Sequence, residues 1–357
     1  QVHQTLTPRL APLSAAVGGV LTAGTLQAAT ITVTTLQDGL IDGACSLRSA
    51  LYASTRNSVT NGCSAGDAGQ DTIEFTDGLQ GTINLLPSPG GLYYDGSTLP
   101  IGESVVIEGG GNITLNGSGA APVLYAQNGG VYTADSVDLS GLTITGGGGV
   151  RGAGLLSRVR YLSISDSIIT GNEATDAGGG IWHVSGSTGS RSFFISDTEI
   201  SNNSVTASDS LGGGIYSNEY TQLFDSVVSG NESGGDGGGI AQVNGSSVRL
   251  LRTTLSDNAA LDGNGGAVSM YNGPGANSRF TSTLSQFNNN SAAGDGGAVA
   301  LIETNPNAYD GRARILGTRF TGNDAGGDGG ALFVTREGRP GGDPEDFPNQ
   351  LTIQAST

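Results

Sequence analysis

The sequence predicts an all-β chain folded as a right-handed parallel β-helix, a solenoid with an N-terminal cap. Three observations predict it. An apolar-x-x-Asn signature recurs through residues 141–335 at similar spacings. A Gly pair, leading directly or through Ala to an aliphatic residue, follows each copy by several residues. Between the signatures lie short runs that alternate apolar and small polar residues, the period of a strand with one buried face.

The elements follow in chain order. Arg9 precedes a small, apolar stretch over 10–29 that ends in Ala28-Ala29, just before the strand-like Thr30-Ile31-Thr32-Val33. Residues 1–29 therefore read as a signal peptide cut near that pair, or as an N-terminal fragment. Residues 30–80 read as a cap and first coils. They hold Cys45 and Cys63, eighteen positions apart in a Gly/Asn/Ser-rich stretch. In an exported protein these could form one disulfide, stabilising by roughly 3 kcal/mol through loop closure. Two unpaired thiols are the other reading. Residues 81–357 read as β-helix, beginning with Thr82-Ile83-Asn84-Leu85, Val105-Val106-Ile107 and Ile113-Thr114-Leu115. The last strand-like run, Asn349 to Ile353, is followed by no polar terminal coil, so further C-terminal sequence is expected.

The repeat decides the fold. Its Asn residues are Asn172, Asn203, Asn231, Asn258, Asn290 and Asn323, spaced by 31, 28, 27, 32 and 33 residues. Its Gly pairs begin at Gly179, Gly213, Gly238, Gly265, Gly296 and Gly329. Runs such as Leu162/Ile164 and Phe193/Ile195 occupy matching places, and no repeat has a helical period. One such unit cannot bury its apolar face alone, whereas stacked units pair like with like in parallel ladders. An Asn at a fixed turn can adopt a left-handed conformation and bond the Asn of the next coil. The Gly pair permits a corner that a Cβ would block. Loops over 185–190 and 303–311 absorb the varying length.

Composition narrows the chemistry. The net charge is −17, and all 15 basic residues are Arg. Such a chain repels nucleic acid and anionic lipid, tolerates divalent cations, and has no Lys for a Schiff base or a P-loop. Gly contributes 62 residues without a collagen period, in keeping with many tight turns. No stretch after residue 29 is long and apolar enough to span a membrane.

Two resemblances follow from these residues. Cys45-Ser46-Leu47-Arg48-Ser49-Ala50-Leu51, with Cys63 and Gly69-Gln70-Asp71-Thr72-Ile73, resembles the motif that names the CSLREA domain of secreted bacterial β-helix proteins. Ser49 stands where that family usually has Glu. The repeats resemble those of polymorphic outer-membrane autotransporter adhesins, which pair Gly-Gly-Ala-aliphatic with Phe-x-x-Asn. Phe287 to Asn290 and Phe320 to Asn323 match that form in full. The resemblance implies a surface or secreted passenger domain.

Candidate sites are sparse. Asp166, Asp197 and Asp225 occupy one place in successive repeats, and Asp236, Asp295 and Asp328 each precede a Gly pair. Stacked carboxylates need solvation, neutralisation or a cation, so calcium binding competes with a plain turn ladder. Arg252 takes the next place in the first column and could neutralise Asp225. His183 reads as a lone strand residue, exposed after its Gly pair, with no Ser-His-Asp pattern around it. Two Cys and one usable His make no zinc site. Trp182 and Tyr216 follow corresponding Gly pairs and, with Tyr220 and Tyr271, could form an exposed strip for glycan stacking. The expected function is a secreted or cell-surface, non-enzymatic scaffold for adhesion or extracellular assembly, with no cofactor unless calcium. Its expected partners are a host or surface glycan or protein, or further copies stacked end to end. The alternatives are a polysaccharide lyase or hydrolase, which needs paired carboxylates or a base beside an acid cluster, or a carbohydrate-binding protein.

Overall fold

A computed structural model describes residues 28–86, 97–129, 132–186, 191–272, 278–303, 312–336, 351–354 and 356. The expected signal region up to residue 27, and most of the two variable loops (187–190 and 304–311), lie outside the described residues. The chain is a parallel β-helix with four columns of stacked strands. The first column runs from Thr30–Val33 and Asp71–Phe75 to Arg312–Leu316 and Leu351–Gln354. The second runs from Gly81–Asn84 to Arg319–Thr321. Val105–Asn116 and Ser136–Thr145 pass through both columns and join them into one sheet. A third column holds two-residue strands from Glu173–Ala174 to Asp324–Ala325, and a fourth runs from Leu99–Ile101 to Leu332–Arg336.

Period-two alternation places one column of side chains from each sheet face inside. Ile73, Ile107, Leu139, Ile164, Ile195, Leu223 and Leu250 lie rung upon rung in the first column, all buried. Ile83, Leu115, Ile144, Ile169, Ile200, Val228, Leu255 and Phe287 do the same in the second. Phe287 and Phe320 stack with ring centroids 4.8 Å apart, close to the rung spacing of a parallel sheet. Ser282 interrupts the first ladder and bonds Thr318 across the interior at 3.0 Å.

The turn between the first and second columns takes a left-handed residue in each coil: Asp166, Asp197, Asp225, Arg252, Leu284 and Gly317. A second left-handed residue follows the second column, at Gly171, Asn202, Gly230, Asp257, Asn289 and Gly322. This corrects the expected role of the signature Asn. The left-handed residue is the one before it, and the Asn itself turns its side chain inward. At the Gly pair, Gly178 has φ +62°, and a Cβ on Gly179 would lie 2.4 Å from the carbonyl oxygen of Ser204 in the next coil.

A helix, Leu47–Arg56, was not foreseen in the N-terminal segment. Ser46 caps it by accepting the Ser49 backbone N–H, and Asn57 ends it in the left-handed conformation. Leu47, Ala50, Leu51 and Ala53 face the first coils and share their core. Cys45 and Cys63 are joined in a disulfide that ties the entry of the helix to the turn after it, Cα atoms 4.6 Å apart. Arg48 is buried and forms a two-pronged pair with Asp38, Nε to Oδ1 and Nη2 to Oδ2 both at 2.8 Å, while Nη1 donates to the Thr98 carbonyl. Asp38 also accepts the Leu86 N–H, so the buried charge is satisfied on every side.

Candidate functional site

The polar columns divide into those that build coils and those that face outward. The signature Asn side chains form an internal ladder. Nδ2 of Asn172, Asn203, Asn231, Asn258 and Asn290 each donates to Oδ1 of the Asn one coil on, at 2.9–3.0 Å. Each also donates to a backbone carbonyl of the coil before, and each backbone N–H reaches the same next Oδ1. Asn172 to Asn290 are buried, so a functional partner cannot reach them without opening the coil.

The two Asp columns behave differently from each other. Asp166, Asp197 and Asp225 sit at the solvent-facing left-handed corner. Arg252 bonds Asp225 with Nε and Nη2, both at 2.6 Å, and this pairing holds the Asp225 carboxyl below its ordinary range. The column before the Gly pair is a chain of side-chain acceptors. Asp236 Oδ1 accepts the Asn264 N–H, Asn264 Oδ1 accepts the Asp295 N–H, and Asp295 Oδ1 accepts the Asp328 N–H, at 2.6–2.7 Å. Burial pushes the Asp236 carboxyl up, against the hydrogen bonds from Asn264. Among the described residues no three His, Cys, Asp or Glu side chains converge to hold a metal ion.

His183 is buried, a correction to its expected exposure. Ile181 and His183 point inward and Trp182 outward. His183 has Ser157 and Ser217 as its neighbours in the column, and their small side chains leave room for the ring. Its Nδ1 lies 3.1 Å from Ser157 Oγ and its ring packs on Phe193, while Nε2 has no hydrogen-bond partner among the described residues. Burial pushes its pKa down to about 3. Below it, Glu219 is buried, accepts from the Ser185 N–H and pairs with Arg191 at 2.7 Å, so it pins both stems of the first variable loop.

The aromatic residues do not form one exposed strip. Trp182 is only 6% exposed, because Tyr125 and Leu156 continue its outward column and pack beside it. Tyr216 stacks on it almost parallel, with ring centroids 6.1 Å apart and planes 4° apart. Arg151 and Arg158 place guanidinium groups over the indole, 5.9 and 5.4 Å from its centroid, and Arg151 is itself paired with Asp176. Burial pushes the Tyr216 hydroxyl pKa up. Past Tyr216 the outward column shrinks to Ala241 and Ser269. The step from Tyr to Ala and Ser opens a groove of about 470 Å³, lined by Tyr216, Leu211, Asp236, Ala241, Asn244, Ser269 and Tyr271 among others. Tyr220 lies elsewhere, in a second groove on the outside of the first column, beside Arg249, Arg279 and Arg314. That second groove escapes a reading of the sequence. Its arginines come from three coils, and only their register aligns them.

Residues 285–301 match the Chlamydia polymorphic membrane protein repeat. No curated protein and no solved structure matches the chain. The matched segment holds Phe287, Asn290 and Gly296-Gly297, which fill the core, extend the Asn ladder and turn the corner. The similarity therefore concerns how a coil is built, and it touches neither outer groove.

Proposed function

We propose that the chain is a non-enzymatic scaffold, secreted or displayed on a bacterial cell surface, that makes adhesive contacts with glycans through the outside of its β-helix. The observation that carries this reading is the groove beside Tyr216. One wall is the Tyr216 ring, stacked on a Trp182 indole that two guanidinium groups cover, so little side-chain freedom is lost when a sugar ring stacks on it. The floor is small, and Asp236 and Asn244 supply polar atoms at the rim. Its volume falls within the range of small-molecule sites.

The likeness of residues 285–301 to a polymorphic membrane protein repeat supports surface display. The disulfide supports an oxidising, extracytoplasmic compartment. Among the described residues no helix is long and apolar enough to cross a membrane. We also assign the N-terminal segment as a CSLREA-type cap. The disulfide-tied helix and the Arg48–Asp38 pair support that assignment.

The test is adhesion of protein-coated beads to a panel of immobilised neutral polysaccharides. The expected result is adhesion to at least one, lost on Tyr216→Ala with an unchanged circular dichroism spectrum. Adhesion to none, or adhesion indifferent to Tyr216, overturns the proposal.

A further inference from the structure

The chain carries a net charge of −17, yet three arginines converge on one outer groove of about 600 Å³. Arg249 and Arg314 stand two rungs apart in one outward column, with Thr281 between them, and Arg279 lies on the middle rung. At the spacing of a parallel sheet the two outer arginines are roughly 10 Å apart along the helix axis. Ser247 and Tyr220 continue the lining on the Arg279 side.

Five other arginines are neutralised. Arg48, Arg151, Arg160, Arg191 and Arg252 are all paired with a carboxylate. Arg249, Arg279 and Arg314 have no acid partner among the described residues. Arg249 lies 5.2 Å over the Phe224 ring, which orients its guanidinium without neutralising it. Acidic side chains are also sorted away from the groove. The outward positions of the first column carry Glu74, Glu108 and Asp138 at its N-terminal end. The corner column beside it changes from Asp166, Asp197 and Asp225 to Arg252, Leu284 and Gly317 as the groove is reached.

We propose that this groove binds a linear acidic glycan lying along the helix axis, with carboxylate or sulfate groups held by Arg249, Arg279 and Arg314. Guanidinium groups engage both kinds of oxyanion in two-pronged hydrogen bonds, and threonine and serine hydroxyls serve the sugar hydroxyls between them. A duplex nucleic acid carries a charge about every 1.7 Å, and the acidic remainder of the chain repels so dense a polyanion. A glycan with one acidic group per sugar or two matches the arginine spacing better. The inference shares its class of ligand with the adhesion reading, but its residues are separate from the Tyr216 groove.

The test is titration of the whole chain with labelled polygalacturonate, dextran sulfate and neutral dextran at low ionic strength. Wild type is compared with Arg249→Gln/Arg279→Gln/Arg314→Gln, and with Arg56→Gln, a distant exposed arginine. The expected result is binding to an acidic polymer, weakened by added salt and by the triple substitution on the order of tenfold or more, and unmoved by Arg56→Gln. Binding to polygalacturonate alone assigns carboxylate, and binding to dextran sulfate alone assigns sulfate. Three results overturn the proposal: no binding to either acidic polymer, equal binding to neutral dextran, or full binding by the triple variant. So does a salt-sensitive oligomer that binds neither polymer, which assigns the arginines to a second copy of the chain. Loss of adhesion in Tyr216→Ala leaves this titration unaffected, so the two readings fail separately.

Discussion

At the scale of the residue, the coil depends on a few side chains whose bonds are shared between neighbours. Asn231 donates to Asn258 Oδ1 and the Ile200 carbonyl, and its own Oδ1 serves both the backbone N–H and Nδ2 of Asn203. Asn231→Ala leaves those buried groups unpaired, at an expected cost of about 4 kcal/mol in urea unfolding. Asn323 is only half-buried, so Asn323→Ala should cost about half as much. Equal losses at the two positions would contradict an internal ladder. The corner Asp residues are set by backbone conformation, with Asp166 at φ 49°. Asp166→Gly should be nearly neutral and Asp166→Val should cost about 1 kcal/mol. Millimolar calcium should leave the melting temperature unchanged, and a rise would assign these carboxylates a cation. His183 makes stability depend on pH. Its folded pKa of about 3 lies below the ordinary value of 6.5, so below pH 6.5 the unfolded chain binds a proton that the folded chain refuses. Stability should fall by up to about 1.4 kcal/mol per unit as pH drops from 6 towards 4. Glu219, Asp236 and Glu103 oppose this, because their raised pKa values favour the folded state at low pH. His183→Gln keeps those carboxyls, so its stability should fall less than that of wild type as pH drops from 6 towards 4. Parallel profiles would contradict the burial of a neutral ring.

At the scale of the element, the strands and corners were legible in the sequence and the helix was not. A strand with one buried face shows in its alternation, and a corner shows in Gly or Asn that recurs every 27–33 residues. Stacking converts that recurrence directly into register, which is why the Asn and Gly columns fell into place. Leu47–Arg56 is a single ten-residue helix with no repeat to announce it. Its apolar spacing is ordinary, and its position is fixed by Asp38, the disulfide and the first coils, all outside the helix itself. The disulfide should therefore matter mainly to this end. Cys45→Ser/Cys63→Ser should lower stability by about 3 kcal/mol. Hydrogen exchange should show the loss concentrated in residues 45–63 and the first rungs, with Ile195 and Ile200 unaffected; a uniform loss would contradict it. Trp182 and His183 show what alternation leaves out. It gave Trp182 its outward direction, but the Tyr125 and Leu156 that cover it come from other coils. His183 fits because Ser157 and Ser217 are small, a fact of register rather than of local sequence.

At the scale of the whole molecule, the buried Asn ladder joins coil to coil, and both grooves lie on the outside. The outer surface is uneven in a useful way. One face steps from stacked aromatics to a groove floored by Ala241 and Ser269, and another passes from acidic to arginine-lined along the axis. Both features need several coils in register, so neither could be seen in a single repeat, and the matched segment 285–301 contains neither. A repeat of this kind can therefore keep its coil-building residues while its outer positions vary in what they bind. On the function proposed above, these grooves hold glycan without cutting it. The most direct measurement is prolonged incubation of the protein with each polysaccharide it retains, followed by sizing of the recovered polymer and assay of new reducing or unsaturated ends. Retained polymer of unchanged length is the expected result. Shortened polymer or new chain ends, abolished by substitution of Asp236 or of Arg249, Arg279 and Arg314, would show an enzyme instead.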